Sequence, residues 1–219
     1  MDILERCCYF PVSDRFRILL PVLQQCINSR LFHETSQAIN VLLTTYKYYP
    51  DIIGATVRSV ISNRHILLEF MQNLLQILKY EQQQMLPTAR AVIEAMQEDP
   101  LTTSLQVDIA IYTLPWQELA TFFQQLAQEG KMHYEVLFTA IQGLEQITTR
   151  NDINELIHLE ELLAPSDDEK LRRIALAALI TQSNTQGCNN ELNQRLYAFR
   201  NDSSPMVAEK ALFTILPYS

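Results

Sequence analysis

Apolar residues recur at helical spacing along nearly the whole chain. Leu67, Met71, Leu74, Leu75 and Leu78 predict a helix over 65–80. Leu119, Phe122, Phe123 and Leu126 predict another over 116–129. Val136, Leu137, Ala140, Ile141, Leu144 and Ile147 predict a third over 132–148. Positions three and four apart share one side of an α-helix, whereas a half-buried strand alternates residue by residue. Strict alternation does not persist for more than a few residues anywhere, so the expected fold class is all-α.

Punctuation groups these helices into pairs. Prolines at 50, 87, 115, 165 and 205 stand at or near segment boundaries, where a missing amide costs nothing. Gly130 and Gly187 supply stops, and Asp51, Asp152 and Ser204 are candidate N-caps, each able to accept from an orphan backbone amide. The expected pairs cover about 14–47, 51–80, 86–113, 116–148, 152–183 and 189–216. Their starts are 37, 35, 30, 36 and 37 residues apart, the period of stacked helical repeats. A solenoid of about six helix pairs follows, forming one domain over 1–219. Pro21 interrupts the first helix, which makes residues 1–50 an irregular N-terminal cap, and 189–219 close the array.

Self-similarity supports the period. Residues 168–180, DEKLRRIALAALI, align with 201–213, NDSSPMVAEKALF, so that Ile174 matches Val207, Ala178 matches Ala211 and Leu179 matches Leu212. The segment 133–145, HYEVLFTAIQGLE, joins them with Gly143 and Leu144 in the same two columns. Small residues recur where neighbouring helices approach closely, and the adjacent Leu fills the shared core. PTARAVIEAM places Ala95 and Met96 in these columns too, which conflicts with reading 86–97 as a first helix.

The pattern D-x-x-x-x-V-x-x-x-A-L, as in Asp202 to Leu212, resembles the inner helix of a HEAT-type repeat. The final segment, QGCNNELNQRLYAFRNDSSPMVAEKALFTI, resembles the closing repeat of cyanobacterial HEAT-repeat proteins. Some of those form the sensor ends of larger NACHT-type ATPases, in which a Trp commonly stands at the position of Cys188. The resemblance covers about 130–216 and weakens before that. It implies a right-handed α-α superhelix of the HEAT/armadillo type, and such arrays usually serve as binding scaffolds. It also keeps two alternatives open, a HEAT-type phycobilin lyase and the sensor part of a NACHT-type signalling ATPase.

Composition narrows the chemistry. Only 4 Gly occur in 219 residues, which disfavours hairpin turns and phosphate-cradling loops. The glycines at 54, 130, 143 and 187 are isolated, so no nucleotide-binding turn exists. No Ser stands on a glycine-flanked elbow. The net charge is −8, and Asp152, Glu155, Glu160, Glu161, Asp167, Asp168 and Glu169 follow one another with no base between Arg150 and Lys170. A phosphate backbone would be repelled, so nucleic acid is not an expected partner. No apolar run of about 18 residues marks a membrane span, and MDILERCCYF lacks the pattern of a secretory signal. Cys7, Cys8, Cys26 and Cys188 form no spaced disulfide framework. The expected setting is the cytoplasm, without cofactor, metal or small-molecule ligand.

A few residues carry candidate chemistry. Glu155 and His158 form one Glu-x-x-His pair, but a di-iron bundle needs two such pairs and further glutamates. Tyr46, Lys47, Tyr48 and Tyr49 before Pro50 could stack on single-stranded bases, although in acidic surroundings an inter-repeat wedge or protein contact fits better. Trp116 behind Pro115 reads as a staple at a helix start. Bases on candidate inner helices are few: Arg90, Arg172, Arg173 and Lys210. Arg90 and Arg173 share one repeat column, so they could either grip carboxylates of a partner protein along a concave surface or form salt bridges to the neighbouring repeat. The expected function is therefore that of a non-catalytic protein-interaction scaffold, with these four bases as its candidate contacts.

Overall fold

A computed structural model describes residues 13–27, 29, 32–45, 50–147 and 150–217. Eleven α-helices and two 3-10 turns occur among the described residues, and no β-strand does. The all-α expectation therefore holds. The chain forms two compact units, Met1–Ile109 and Ala110–Ser219.

In the first unit, α1 (Ser13–Ile27) packs against α2 (Phe32–Thr45), and α3 (Pro50–Val60) against α4 (Arg64–Met96), which also meets α2. Leu23, Ile39, Leu42, Ile53, Val57 and Leu74 are completely buried. Thr35 donates its hydroxyl to the Cys26 carbonyl at 3.3 Å, tying the start of α2 to the end of α1. The turn Pro100–Thr102 leads into α5 (Thr103–Thr113), whose last four residues belong to the second unit. Gln106 donates to the Met96 carbonyl at 2.8 Å and satisfies the end of α4.

Two proline expectations are corrected here. Pro21 lies inside α1 without ending it. Pro87 lies inside α4, which runs unbroken for 33 residues, so the expected break between 80 and 86 does not exist. A proline alone removes one helical hydrogen bond, whereas a stop also needs a residue that favours leaving the helix. The stretch Glu81–Leu86 contains only helix formers, Met85 within it is buried, and Ala89, Val92, Ile93 and Met96 are buried beyond it. The same continuity settles the conflict over Ala95 and Met96, which end the second helix of a pair.

Capping follows ordinary chemistry at positions partly different from those expected. Asn63, Asp99, Asp168 and Asn189 accept from the amides of Ile66, Leu101, Lys170 and Leu192. Asp51 instead lies within the first turn of α3. Asp152 gives its carboxylate to Arg150, and Ser204 gives its hydroxyl to Glu169, so neither caps with its side chain. Gly130 and Gly187 do end helices, at φ of 68° and 80°. Gly130 closes α6 in a Schellman motif, in which Lys131 N–H reaches Leu126 O and Gly130 N–H reaches Ala127 O.

The second unit contains α6 (Trp116–Gln128), α7 (Tyr134–Gln146), the turn Ile153–Glu155, α8 (Ile157–Leu163), α9 (Glu169–Gln186), α10 (Asn190–Arg200) and α11 (Pro205–Leu212). The helix boundaries near 116–148, 152–183 and 189–216 match those read from periodicity to within a few residues. Helix α9 lies at the centre, packed against α7, α8, α10 and α11. Nearly all its faces are buried, including Leu171, Arg173–Leu179 and Thr181–Ser183. Gly143 of α7 lies where an added Cβ would stand 2.7 Å from Ile111 Cδ1. Its two column mates, Ala178 and Ala211, are fully buried. At Gly143 the small residue thus marks a close approach of α7 to α5.

Candidate functional site

The candidate site is the exposed side of the second helices of the Ala110–Ser219 unit. It is fixed by bonds between successive pairs. At the N-terminal ends of α7 and α9, Lys170 Nζ donates to the Met132 carbonyl at 2.7 Å and lies 5.6 Å over the Tyr134 ring. At their C-terminal ends, Thr181 Oγ1 donates to the Leu144 carbonyl at 3.2 Å. The two helices therefore run side by side in the same direction. Ser204, just before α11, donates to Glu169 Oε2 at 2.5 Å, which brings the starts of α9 and α11 together.

The first helices are linked in the same manner. Trp116 Nε1 donates to the Asp152 carbonyl at 2.8 Å, and Gln124 to the Leu162 carbonyl at 3.5 Å. Arg195 on α10 grips Glu160 and Glu161 on α8, at 2.5 and 2.8 Å, and Glu191 on its own helix at 2.9 Å. Burial pushes the Glu160 carboxyl above its usual range despite Arg195, because removing a carboxylate from water disfavours its charge.

A second arginine organises the start of this unit. Arg150, with its side chain almost fully buried, donates to Ile111 O and Leu114 O at 2.7 and 2.9 Å. It also forks onto Asp152 and lies 3.6 Å over the Trp116 ring. Trp116 is thus more than a staple at its own helix start. It bonds to the loop before α8 and supports Arg150, which ties that loop to the last turn of α5.

The four bases singled out from sequence do not form one patch. Arg90 is exposed on α4, in the first unit. Arg172 forks onto Asp202 at 2.8 and 2.9 Å and also donates to the carbonyls of Ser166 and Asp167, so it bridges neighbouring pairs. Lys210 is exposed on α11. Arg173 is buried, at 9% exposure, and its Nη1 has no hydrogen-bond partner. Burial pulls its guanidinium below the ordinary arginine range, with Glu145 acting in the opposite direction.

Two exposed residues of α7 were passed over by sequence reasoning. Tyr134 and Phe138 on α7 are 72% and 59% exposed. They are four residues apart, hence on one face. The signal was available: Val136, Leu137, Ala140 and Leu144 already fill the buried stripe, which leaves 134 and 138 outside it.

Other candidates do not assemble into chemistry. His158 Nδ1 lies 3.3 Å from Glu161 Oε2, on the exposed surface. Among the described residues no three His, Cys, Asp or Glu side chains group to hold a metal ion, and no helix is long and apolar enough to cross a membrane. Cys26 and Cys188 are free thiols. Cys7, Cys8 and Tyr46–Tyr49 lie outside the described residues.

These features define a protein that is all-helical among its described residues, with two exposed aromatic side chains on α7 of its second unit. No family model matches the chain, and comparison with curated proteins and with solved structures finds no match.

Proposed function

We propose that this chain is a HEAT-like, right-handed helical solenoid that acts as a non-catalytic protein-interaction module. One observation carries the reading. In the second unit, bonds between successive helix pairs recur at sequence separations of 35 to 38 residues: Trp116 to Asp152, Gln124 to Leu162, Glu160 to Arg195, Lys170 to Met132, Thr181 to Leu144 and Ser204 to Glu169. Equivalent bonds at a near-constant period are what stacked repeats produce, since each repeat meets only its neighbours. Stacking leaves one side of the second helices open as a continuous strip, on which another protein is held. Free thiols at Cys26 and Cys188 fit a reducing cytoplasm.

The test is crosslinking of the full chain to the proteins it retains, with each crosslink mapped on both sides. The expected result is a set of crosslinks on 132–145, 169–173 and 205–212, weakened by the surface pair Tyr134→Ser and Phe138→Ser. Crosslinks confined to other surfaces, unaffected by that pair, would overturn the reading.

A further inference from the structure

We propose that this chain pairs with a second copy of itself through the outer side of α11 and the tail behind it, with Leu212, Phe213 and Ile215 at the contact. The pairing extends the helix stacking of the second unit and does not depend on a partner held at α7.

Leu144, Leu179 and Leu212 occupy one repeat column. The first two are completely buried, whereas Leu212 is 60% exposed. Helix α9 meets α7, α8, α10 and α11, whereas α11 packs on α9 and α10. At α11 solvent therefore reaches the leucine that neighbouring helices cover at the two earlier positions. The tail adds to this edge. Burial alternates through residues 213–216: Phe213 and Ile215 are each 87% exposed, while Thr214 and Leu216 are buried. The tail is fixed at both ends. Arg200 donates to the Ala211 and Thr214 carbonyls at 3.2 and 3.1 Å, and the Cys188 amide donates to the Pro217 carbonyl at 2.9 Å. The backbone under the two outward side chains is thus set before any contact forms, which lowers the ordering cost of association. Exposed apolar side chains gathered in this way mark an interaction site on a soluble protein.

Three observations favour a second copy as the occupant. An apolar edge is complementary to itself across a two-fold axis, the commonest symmetry of protein dimers. The exposed charges just before it on α11 are Glu209 and Lys210, one of each sign, so two-fold pairing can set Glu209 against Lys210 of the second copy. Head-to-tail stacking is closed, because α7, at the other end of the row, is already met by α5: a Cβ added to Gly143 would stand 2.7 Å from Ile111 Cδ1. The area sets the strength. Phe213 with Leu212 and Ile215 offers roughly 400 Å² per copy, half of the ~800 Å² per partner of a stable interface, so the pair should form at about 10–100 µM rather than nanomolar concentration. The net charge of −8 on each copy opposes pairing at long range, so association should strengthen as added salt screens it.

The test is sedimentation equilibrium of the full chain from about 1 to 200 µM, a range that spans weak interfaces. The wild type should pass from monomer to dimer, at lower concentration when salt is raised. Phe213→Glu combined with Ile215→Glu should weaken association by more than about tenfold, since each change counts twice across a two-fold axis. Both side chains are 87% exposed, so in dilute solution the urea midpoint of that variant should match the wild type. Should it unfold instead, Phe213→Ser with Ile215→Ser replaces it. Crosslinking an equal mixture of ¹⁵N-labelled and unlabelled wild type then locates the contact: mixed-isotope crosslinks from Lys210 should land on 205–215 of the other copy. A wild type monomeric throughout, an association that survives the double change, or mixed-isotope crosslinks that avoid 205–215 would each overturn the proposal. A monomer whose crosslinks to other proteins still map to α7 and α9 overturns the pairing and leaves the interaction-module reading standing. A dimer whose crosslinks to other proteins map elsewhere does the reverse.

Discussion

Replacing Arg150, a buried residue of the loop before α8, by Met should strongly destabilise the second unit. The guanidinium donates to two carbonyls in and just after the last turn of α5, forks onto Asp152 and lies flat over Trp116. Hydrogen bonds from a charged donor contribute about 1.5–3 kcal/mol each. Asp152 is one-third exposed and can turn to water, so its loss counts for little. Methionine retains an apolar stem against the indole but offers no donor to the Ile111 and Leu114 carbonyls. The expected cost is therefore about 3–5 kcal/mol. With a urea slope near 2 kcal/mol per M, the midpoint should fall by about 1.5–2.5 M. The chain has a single tryptophan, Trp116, so its fluorescence follows unfolding at the very place that is perturbed. Arg150→Lys should lose about half as much, because a compact ammonium cannot reach both carbonyls and cover the ring. A midpoint within about 0.5 M of wild type for Arg150→Met would refute the reasoning, since the two carbonyl bonds would then be worth almost nothing.

Three further outcomes follow from the same physics. Arg195→Met should cost about 2–4 kcal/mol at neutral pH, because Glu160, only 4% exposed, is left buried without its partner; the double variant with Glu160→Gln should recover most of that loss in urea melts. The Glu160 carboxyl is already raised by burial, so in Arg195→Met the penalty should grow as pH rises and shrink in acid, where the group is protonated. Burial alone raises Asp108 from 3.8 to about 6, so the folded state holds its proton more tightly than the unfolded one. Stability should thus be greatest below the unfolded value and decline as pH rises through about 6, and Asp108→Asn should remove that slope and add up to about 2 kcal/mol at pH 7, as read from melts followed by circular dichroism. Finally, Pro87→Ala should raise the melting temperature through a gain of about 1–3 kcal/mol, since the proline sits inside α4 rather than at its end; a lowered melting temperature would mean that the surrounding structure depends on the proline.

Sequence alone carried the helical class and the boundaries of the last three pairs, because buried positions there keep a strict three-and-four spacing and glycines with positive φ mark the stops. It misplaced the middle of the chain because a proline was read as a terminator. At Pro87 the flanking residues all favour helix and the apolar stripe resumes beyond it, so packing overrides the single lost hydrogen bond. The site was legible only as residue types. Arg172 and Arg173 are neighbours in the chain, yet one is spent on Asp202 and the other has no acceptor for Nη1. Which of two adjacent arginines meets a carboxylate depends on where a residue 30 positions away is carried by the turn before α11, and no local pattern encodes that. Arg150 was unreadable for the same reason, since its acceptors are backbone carbonyls almost 40 residues upstream.

Helix α4 has a consequence for how the first unit unfolds. At 33 residues it is a rod about 50 Å long, and its buried residues extend from Ile66 to Met96. Every other element of the first unit that meets it is fastened to the same rod, so damage at one end is transmitted along it, and amide exchange there should report one cooperative opening. In the second unit the helices are shorter, 18 residues at most, and most of them pack on the central α9. Helices α10 and α11 meet each other and α9, so they should open while α6 and α7 stay closed, giving a graded series of protection factors. A single chain would then hold a brittle half beside one that loosens by degrees.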